Sequence, residues 1–163
     1  MAKPGQPENI VSAGPGGRWD ELRQLEGILA MNFDKLTPVV LSLLRIVAGV
    51  IFLEHATQKL FGFPAPFPSG APAMMSLLWF AAIIEIICTP FLIVGLFTRL
   101  AAFILSGEMA VAYWYAHFPR AMYPIMNNGD AAILYCFIFL FIAVAGGGSI
   151  SLDNAFGAKK ATA

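Results

Sequence analysis

Arg45, Glu54, His55, Gln58 and Lys59 fall in one short, otherwise apolar stretch, Arg45-Ile-Val-Ala-Gly-Val-Ile-Phe-Leu-Glu-His-Ala-Thr-Gln-Lys-Leu-Phe61. Their types suit acid–base work. His55 is the side chain whose protonation responds most readily near neutral pH. Lys59 stands one helical turn on, so both bases can reach one oxygen-bearing group. Glu54 adds an acid beside them. On a helix, Arg45, Phe52 and Lys59 share one stripe with His55 next to it, while Glu54 and Gln58 form a second polar stripe. Glu85, Glu108, Tyr115 and His117 also occur in apolar surroundings. A charge near mid-bilayer costs at least ~2.5–3.5 kcal/mol on insertion scales, so these groups demand partners.

The element that positions the first set is a helix opening at Thr37-Pro38. Its roughly 25 residues, at about 1.5 Å each, exceed the ~30 Å hydrocarbon core of a bilayer. Composition agrees: 58% of the 163 residues are hydrophobic and 12% charged, with a mean hydropathy of +0.73. The net charge is zero, so no nucleic-acid partner is implied, and the bilayer is the first partner expected. Cys88 and Cys136 lie inside apolar runs without metal-ligand spacing and read as core residues. No metal site is expected.

In chain order, residues 1–18 are rich in Pro, Gly and Ser and read as a disordered cytoplasmic tail. No signal-peptide pattern occurs in the first thirty residues. Over 19–36, Trp19, Leu22, Ile28 or Leu29, and Phe33 recur at helical spacing, with Asp20, Glu21, Arg23, Glu26 and Asp34 opposite. That is an amphipathic helix, lying on the bilayer interface or docking a partner subunit. Four spans follow within 37–153: residues 37–61, 74–94 bent at Pro90, 99–118, and 131–145 continuing into Gly146-Gly-Gly-Ser149. A Pro-rich loop follows the first, a tight turn at 95–98 the second, and a loop ending in Asn127-Asn-Gly-Asp130 the third, with Asp130 as N-cap. Residues 154–163 read as a flexible tail. The predicted fold is all-α: an integral-membrane four-helix up-down bundle with an N-terminal amphipathic helix. Arg23, Lys35, Arg99, Lys159 and Lys160 against Lys59 and Arg120 put both termini in the cytoplasm by the positive-inside rule.

The pattern Arg45-x3-Gly49-x2-Phe52-x2-His55-x3-Lys59-Leu60, with Glu85, Gly95-Leu-Phe-Thr-Arg99, Gly129-Asp130 and Gly148-Ser-Ile-Ser-Leu-Asp153, resembles the DoxX family of small four-span membrane proteins. The resemblance covers about residues 36–153. It implies a bacterial inner-membrane protein and a link to quinone-dependent redox complexes, with a quinone as non-covalent cofactor and other membrane subunits as partners. Glu54 departs from the family, which more often has an apolar or small residue there.

Two sites are expected. Arg45, Glu85 and Glu108 lie at similar depth by residue count, about 12–14 Å in for Arg45 and Glu108. They form a candidate buried ion cluster, which fixes helix order or carries a proton or ion. Glu54, His55, Gln58, Lys59, Tyr115 and His117 line a candidate ligand pocket in the outer half. His55 and His117 differ in depth, which argues against two axial ligands of one haem. No catalytic residue is assigned. The function expected is an accessory or quinone-linked subunit of a membrane redox complex. The alternatives are a non-catalytic anchoring subunit and a small-solute transporter.

Overall fold

A computed structural model describes residues 17–161, and their side chains except those of 28–32 and 158–161. All regular structure among these residues is helical. Helix α1 runs Arg18–Phe61, α2 Leu77–Val94, and α3 Thr98–Ala112. Helix α3 continues through a π-helical turn, Tyr113–His117, and a 3₁₀ turn, Phe118–Arg120. Three elements complete the chain: α4 Pro124–Asn127, α5 Asp130–Ala145 and α6 Leu152–Ala161. The contacts divide the chain into two units, residues 1–36 and 37–163. In the first, Trp19, Leu22 and Leu25 are exposed. The predicted disordered tail, except Gly17 and Arg18, lies outside the described residues.

Several boundaries differ from the sequence expectation. The amphipathic segment and first span form one helix, α1, with Pro38 inside it. The second span starts at Leu77 rather than 74, because the Ser76 hydroxyl accepts the N–H of Trp79 at 3.2 Å and caps it there. Gly129, not Asp130, is the N-cap of α5. The Asn127 carboxamide accepts the Gly129 N–H at 2.7 Å and fixes the chain just ahead of the helix. Helix α5 stops at Ala145 instead of running on, since Gly146 takes φ +97°. The expected flexible tail from 154 is instead helix α6 to Ala161, started by the Ser151 hydroxyl accepting from Asn154 N–H at 3.2 Å.

Among the described residues two helices are long and apolar enough to cross a membrane, Phe33–Phe61 within α1 and Leu77–Val94, with mean hydropathies of 2.3 and 2.4. Helix α5 is apolar but shorter. The core of the second unit joins Phe52 of α1, Leu92 of α2, Leu105 and Met109 of α3, and Phe139 and Ile142 of α5. Small residues let α3 approach α5: Ala101, Ala102 and Ser106 are buried, and the Ser106 hydroxyl donates to the Cys136 carbonyl at 2.8 Å. Val47, Val50, Ile87, Val94, Phe103, Leu134 and Phe137 stay exposed, an apolar surface suited to lipid.

Charges tie the helix ends together. Helix termini leave backbone groups without intrahelical partners. The fully buried Arg45 guanidinium donates to the carbonyls of Leu92 and Ile93 at the end of α2, and to those of Gly147 (2.9 Å) and Ile150 (2.5 Å) beyond α5. Arg99 donates to Ala143 (3.1 Å), Val144 and Ala145, the last carbonyls of α5. Asp153 accepts from the N–H groups of Phe97 (2.9 Å) and Thr98 (2.8 Å), capping α3 from a distance in sequence. Ser42 accepts from Ile150 N–H at 3.0 Å and donates to Pro38 O at 2.8 Å. Close approach makes glycine necessary here. A Cβ on Gly148 would lie 2.3 Å from the Ser42 hydroxyl, and one on Gly95, at φ +74°, 2.5 Å from Ser151 Cβ.

Burial alone would raise the Asp153 pKa, but the Thr98 and Phe97 N–H groups and the charge of Arg45 outweigh it and hold the carboxyl below its usual range. The carboxylate therefore stabilises the fold fully above its unfolded pKa, and that contribution fades as pH falls through the lower folded value. Thermal unfolding in detergent should show stability dropping below about pH 4, the ordinary range of the side chain. In Asp153→Asn that part of the acid dependence should vanish; an unchanged profile would remove Asp153 from this role.

Candidate functional site

Lys59, in the last turn of α1, is buried and turned inward. Its Nζ lies 2.6 Å from Glu85 Oε1 on α2, an ion pair closed inside the apolar interior. This corrects the expected cluster: Arg45 joins neither Glu85 nor Glu108 but is consumed by backbone carbonyls. The cause is geometric. Starting α2 three residues later moves Glu85 about 4.5 Å toward the Phe61 end of α1, and so toward Lys59. The long lysine stem then reaches into the protein instead of snorkelling to its surface. Glu108, half-buried on α3, interacts electrostatically with both Glu85 and Lys59. The oxygens Glu85 Oε2 and Glu108 Oε2 and the hydroxyl of Thr89 are buried with no hydrogen-bond partner.

The six residues expected to line one pocket separate into five places. Glu54 and His55 remain on the exposed side of α1. The His55 ring lies 5.6 Å from Phe52 and 6.0 Å, edge-on, from Tyr135 of α5. Glu54 is within electrostatic reach of both His55 and Tyr135. Tyr135 in turn stacks on Phe139 at 5.5 Å, extending an aromatic wall from the core to the surface. Lys59 has left this group for Glu85. Gln58 is half-buried, and its backbone carbonyl accepts the Gly62 N–H at 3.1 Å. Tyr115 is 69% exposed and lines a shallow groove with Ala110, Val111 and Trp114. His117 Nδ1 lies 3.0 Å from the Asn127 carbonyl, and Asn127 ties its own loop through Ala121 O and Gly129 N. The single pocket is therefore not formed.

Tyr135, placed by the sequence among the titratable groups of the outer half, was not one of the six residues expected to line the pocket. Its signal was the aromatic spacing Tyr135-x3-Phe139, which puts both rings on one face of a helix. A cleft at the opposite end was also missed. It is lined by Pro38, Phe97, Thr98, Arg99, Gly147 and Asp153 among others, and is built from the same side chains that tie the helix ends.

Apolar helices of spanning length, an exposed apolar surface and charges folded inward define an all-helical membrane protein. The chain belongs to the DoxX family: the family profile matches residues 40–118. It is 43% identical over 129 residues to an uncharacterized protein of Haemophilus influenzae, covering 77% of this chain and 96% of that one. It is 29% identical over 132 residues to the inner membrane protein YphA of Escherichia coli, covering 76% and 94% of the two chains. No solved structure matches at comparable significance.

Breaking the Lys59–Glu85 pair from one side strands a charge in an apolar interior. Lys59→Met or Glu85→Gln alone should destabilise by ~3–5 kcal/mol, and the double variant by clearly less than their sum. Thermal unfolding in one detergent measures this. Strictly additive losses would mean that the two side chains do not interact.

Proposed function

We propose that the protein is a four-span up-down bundle in a bacterial inner membrane, with both termini and the Gly95 turn cytoplasmic. The spans are α1, α2, α3 with its π-helical extension, and α5. Support for the membrane comes from the Escherichia coli relative, which is an inner membrane protein. Support for the orientation comes from Arg23, Lys35, Arg99, Lys159 and Lys160.

Within that membrane the protein serves as an accessory subunit of a quinone-linked redox complex, holding the head group of a lipid-borne quinone against His55 and Tyr135. The observation that carries this reading is an imidazole left exposed on an apolar span and set edge-on to a tyrosine of another helix. A quinone arrives from the lipid side, and its ring suits an aromatic wall. Its oxygens need a donor, which His55 and Tyr135 supply. Reduction consumes protons as well as electrons, and a histidine beside Glu54 can pass one. The electrons come from a redox centre on a partner.

The reading of a purely anchoring subunit draws on a different feature, the exposed stripe of Trp19, Leu22 and Leu25, which suits docking. One comparison separates them. Binding of a short-chain quinone analogue to the purified protein should weaken at least tenfold in His55→Leu and stay unchanged in the lipid-facing control Ile51→Leu. Equal binding in both variants, with both folded, refutes the quinone site and leaves the anchoring role.

A further inference from the structure

Among the described residues four buried side-chain polar atoms lack a hydrogen-bond partner; one, the Thr98 hydroxyl, lies by Gly147, and the other three belong to Glu85, Glu108 and Thr89 around one ion pair. Lys59 on α1 uses a single oxygen of Glu85 on α2, at 2.6 Å. The other oxygen of Glu85 is buried without a hydrogen-bond partner, and so is Glu108 Oε2 on α3. Thr89, one turn beyond Glu85 on α2 and fully buried, has an equally unpartnered hydroxyl. Glu108 feels the charges of both Glu85 and Lys59. One ammonium therefore faces two carboxyls.

Among the described residues the surroundings add no second buried cation. From α1, the neighbouring groups are Glu54 and His55, on the exposed side, and His55 is repelled by Lys59 when charged. Arg45 is engaged by four backbone carbonyls. From α2 comes Cys88, which faces the charge of Glu108. From α5 come Tyr135, directed to the aromatic wall, and Cys136, held beside Ser106. With both acids ionised, the trio would bury a net negative charge and two unpaired acceptor oxygens in an apolar interior, each unfavourable. A single added proton relieves both. It removes the surplus charge and turns one orphan acceptor into a donor.

We propose that Lys59, Glu85 and Glu108 form a proton-binding site, in which one proton is held on the Glu85–Glu108 carboxyl pair and exchanges with water or with a basic oxygen of a ligand. Loaded, the site holds one ammonium, one carboxylate and one carboxylic acid and is neutral; empty, it carries one negative charge. Release breaks one O–H bond at a carboxyl and forms one at the acceptor, and no electron moves. The Thr89 hydroxyl both donates and accepts, and extends the site one turn along α2 toward the Gly95 turn. Lys59 is the fixed counter-charge that keeps the second carboxyl ionised. The site stands apart from the quinone reading, since its acids face the interior while His55 faces outward.

Infrared difference spectroscopy of the full-length protein in lipid nanodiscs tests this. At about pH 7 exposed carboxyls are ionised, so a carbonyl stretch of a protonated carboxylic acid should come from this pair alone. It should shift in D2O, disappear as the pH is raised, vanish in Glu108→Gln and in Glu85→Gln, and persist in Glu54→Gln. Absence of a titrating acid band in the wild type overturns the proposal, as does a band that survives both substitutions at the pair. Displacement of the band by sodium at constant pH also overturns it, because the site would then bind a metal cation. If either pair variant fails to fold, the wild-type titration and its deuterium shift still decide.

Discussion

The guanidinium of Arg45 is the group on which the arrangement of this protein depends. A helix ends with carbonyls that its own ladder cannot satisfy, and inside a membrane no bulk water can satisfy them instead. Arg45 donates to the end of α2 and to the segment after α5 from a fully buried position in α1. Arginine suits the task because its planar fork aims several donors at once and keeps its charge. That charge also faces the negative ends of the α2 and α5 dipoles, where a cation is stabilising. Arg99 repeats the solution for the last carbonyls of α5. Asp153 applies the opposite sign at the N-terminus of α3.

This end of the molecule uses its charges on backbone, and the middle uses them on each other. The division explains why Arg45 and Lys59, on one stripe of the same helix, have different partners. Near the helix ends, free carbonyls compete successfully for a cation. Two turns further in, most carbonyls of α2 are bonded within their own helix, and a buried cation finds a carboxylate instead, as Lys59 finds Glu85. The glycines follow from the first kind of contact. Gly95 and Gly148 lie where chain segments meet too closely for a Cβ. The π-helical turn at 113–117 re-aims Tyr113 to His117 just where α3 leaves the core, and His117 then meets the loop that Asn127 closes.

Much of this was legible in the residues. Helical periodicity and apolar run length gave the helices, and Arg45, Gly95, Arg99, Gly148 and Asp153 were marked as a pattern. What the pattern does was less legible, because a backbone carbonyl has no letter in the sequence. An arginine among acids invites a carboxylate partner on paper, while the folded chain offers four carbonyls at closer reach. The Lys59–Glu85 pair was missed for a different reason. Placing the start of α2 at 74 ignored the capping preference of Ser76, and three residues of helix are enough to exchange one cation for another. Helix α6 was hidden in the same way, because its cap, Ser151, falls within the 37–153 stretch assigned to the membrane domain. The dispersal of Tyr115, His117 and Gln58 away from His55 depends on helix rotation and on the π-helical turn, which residue counting does not resolve.

The dependence on Arg45 is tested most directly by hydrogen–deuterium exchange on Arg45→Lys, which keeps the charge and loses the fork. The segments around 92–98 and 146–153, remote in sequence, should lose protection together, while α2 around Glu85 keeps it. Wild-type protection in both segments, or an equal loss everywhere including Glu85, would contradict the account.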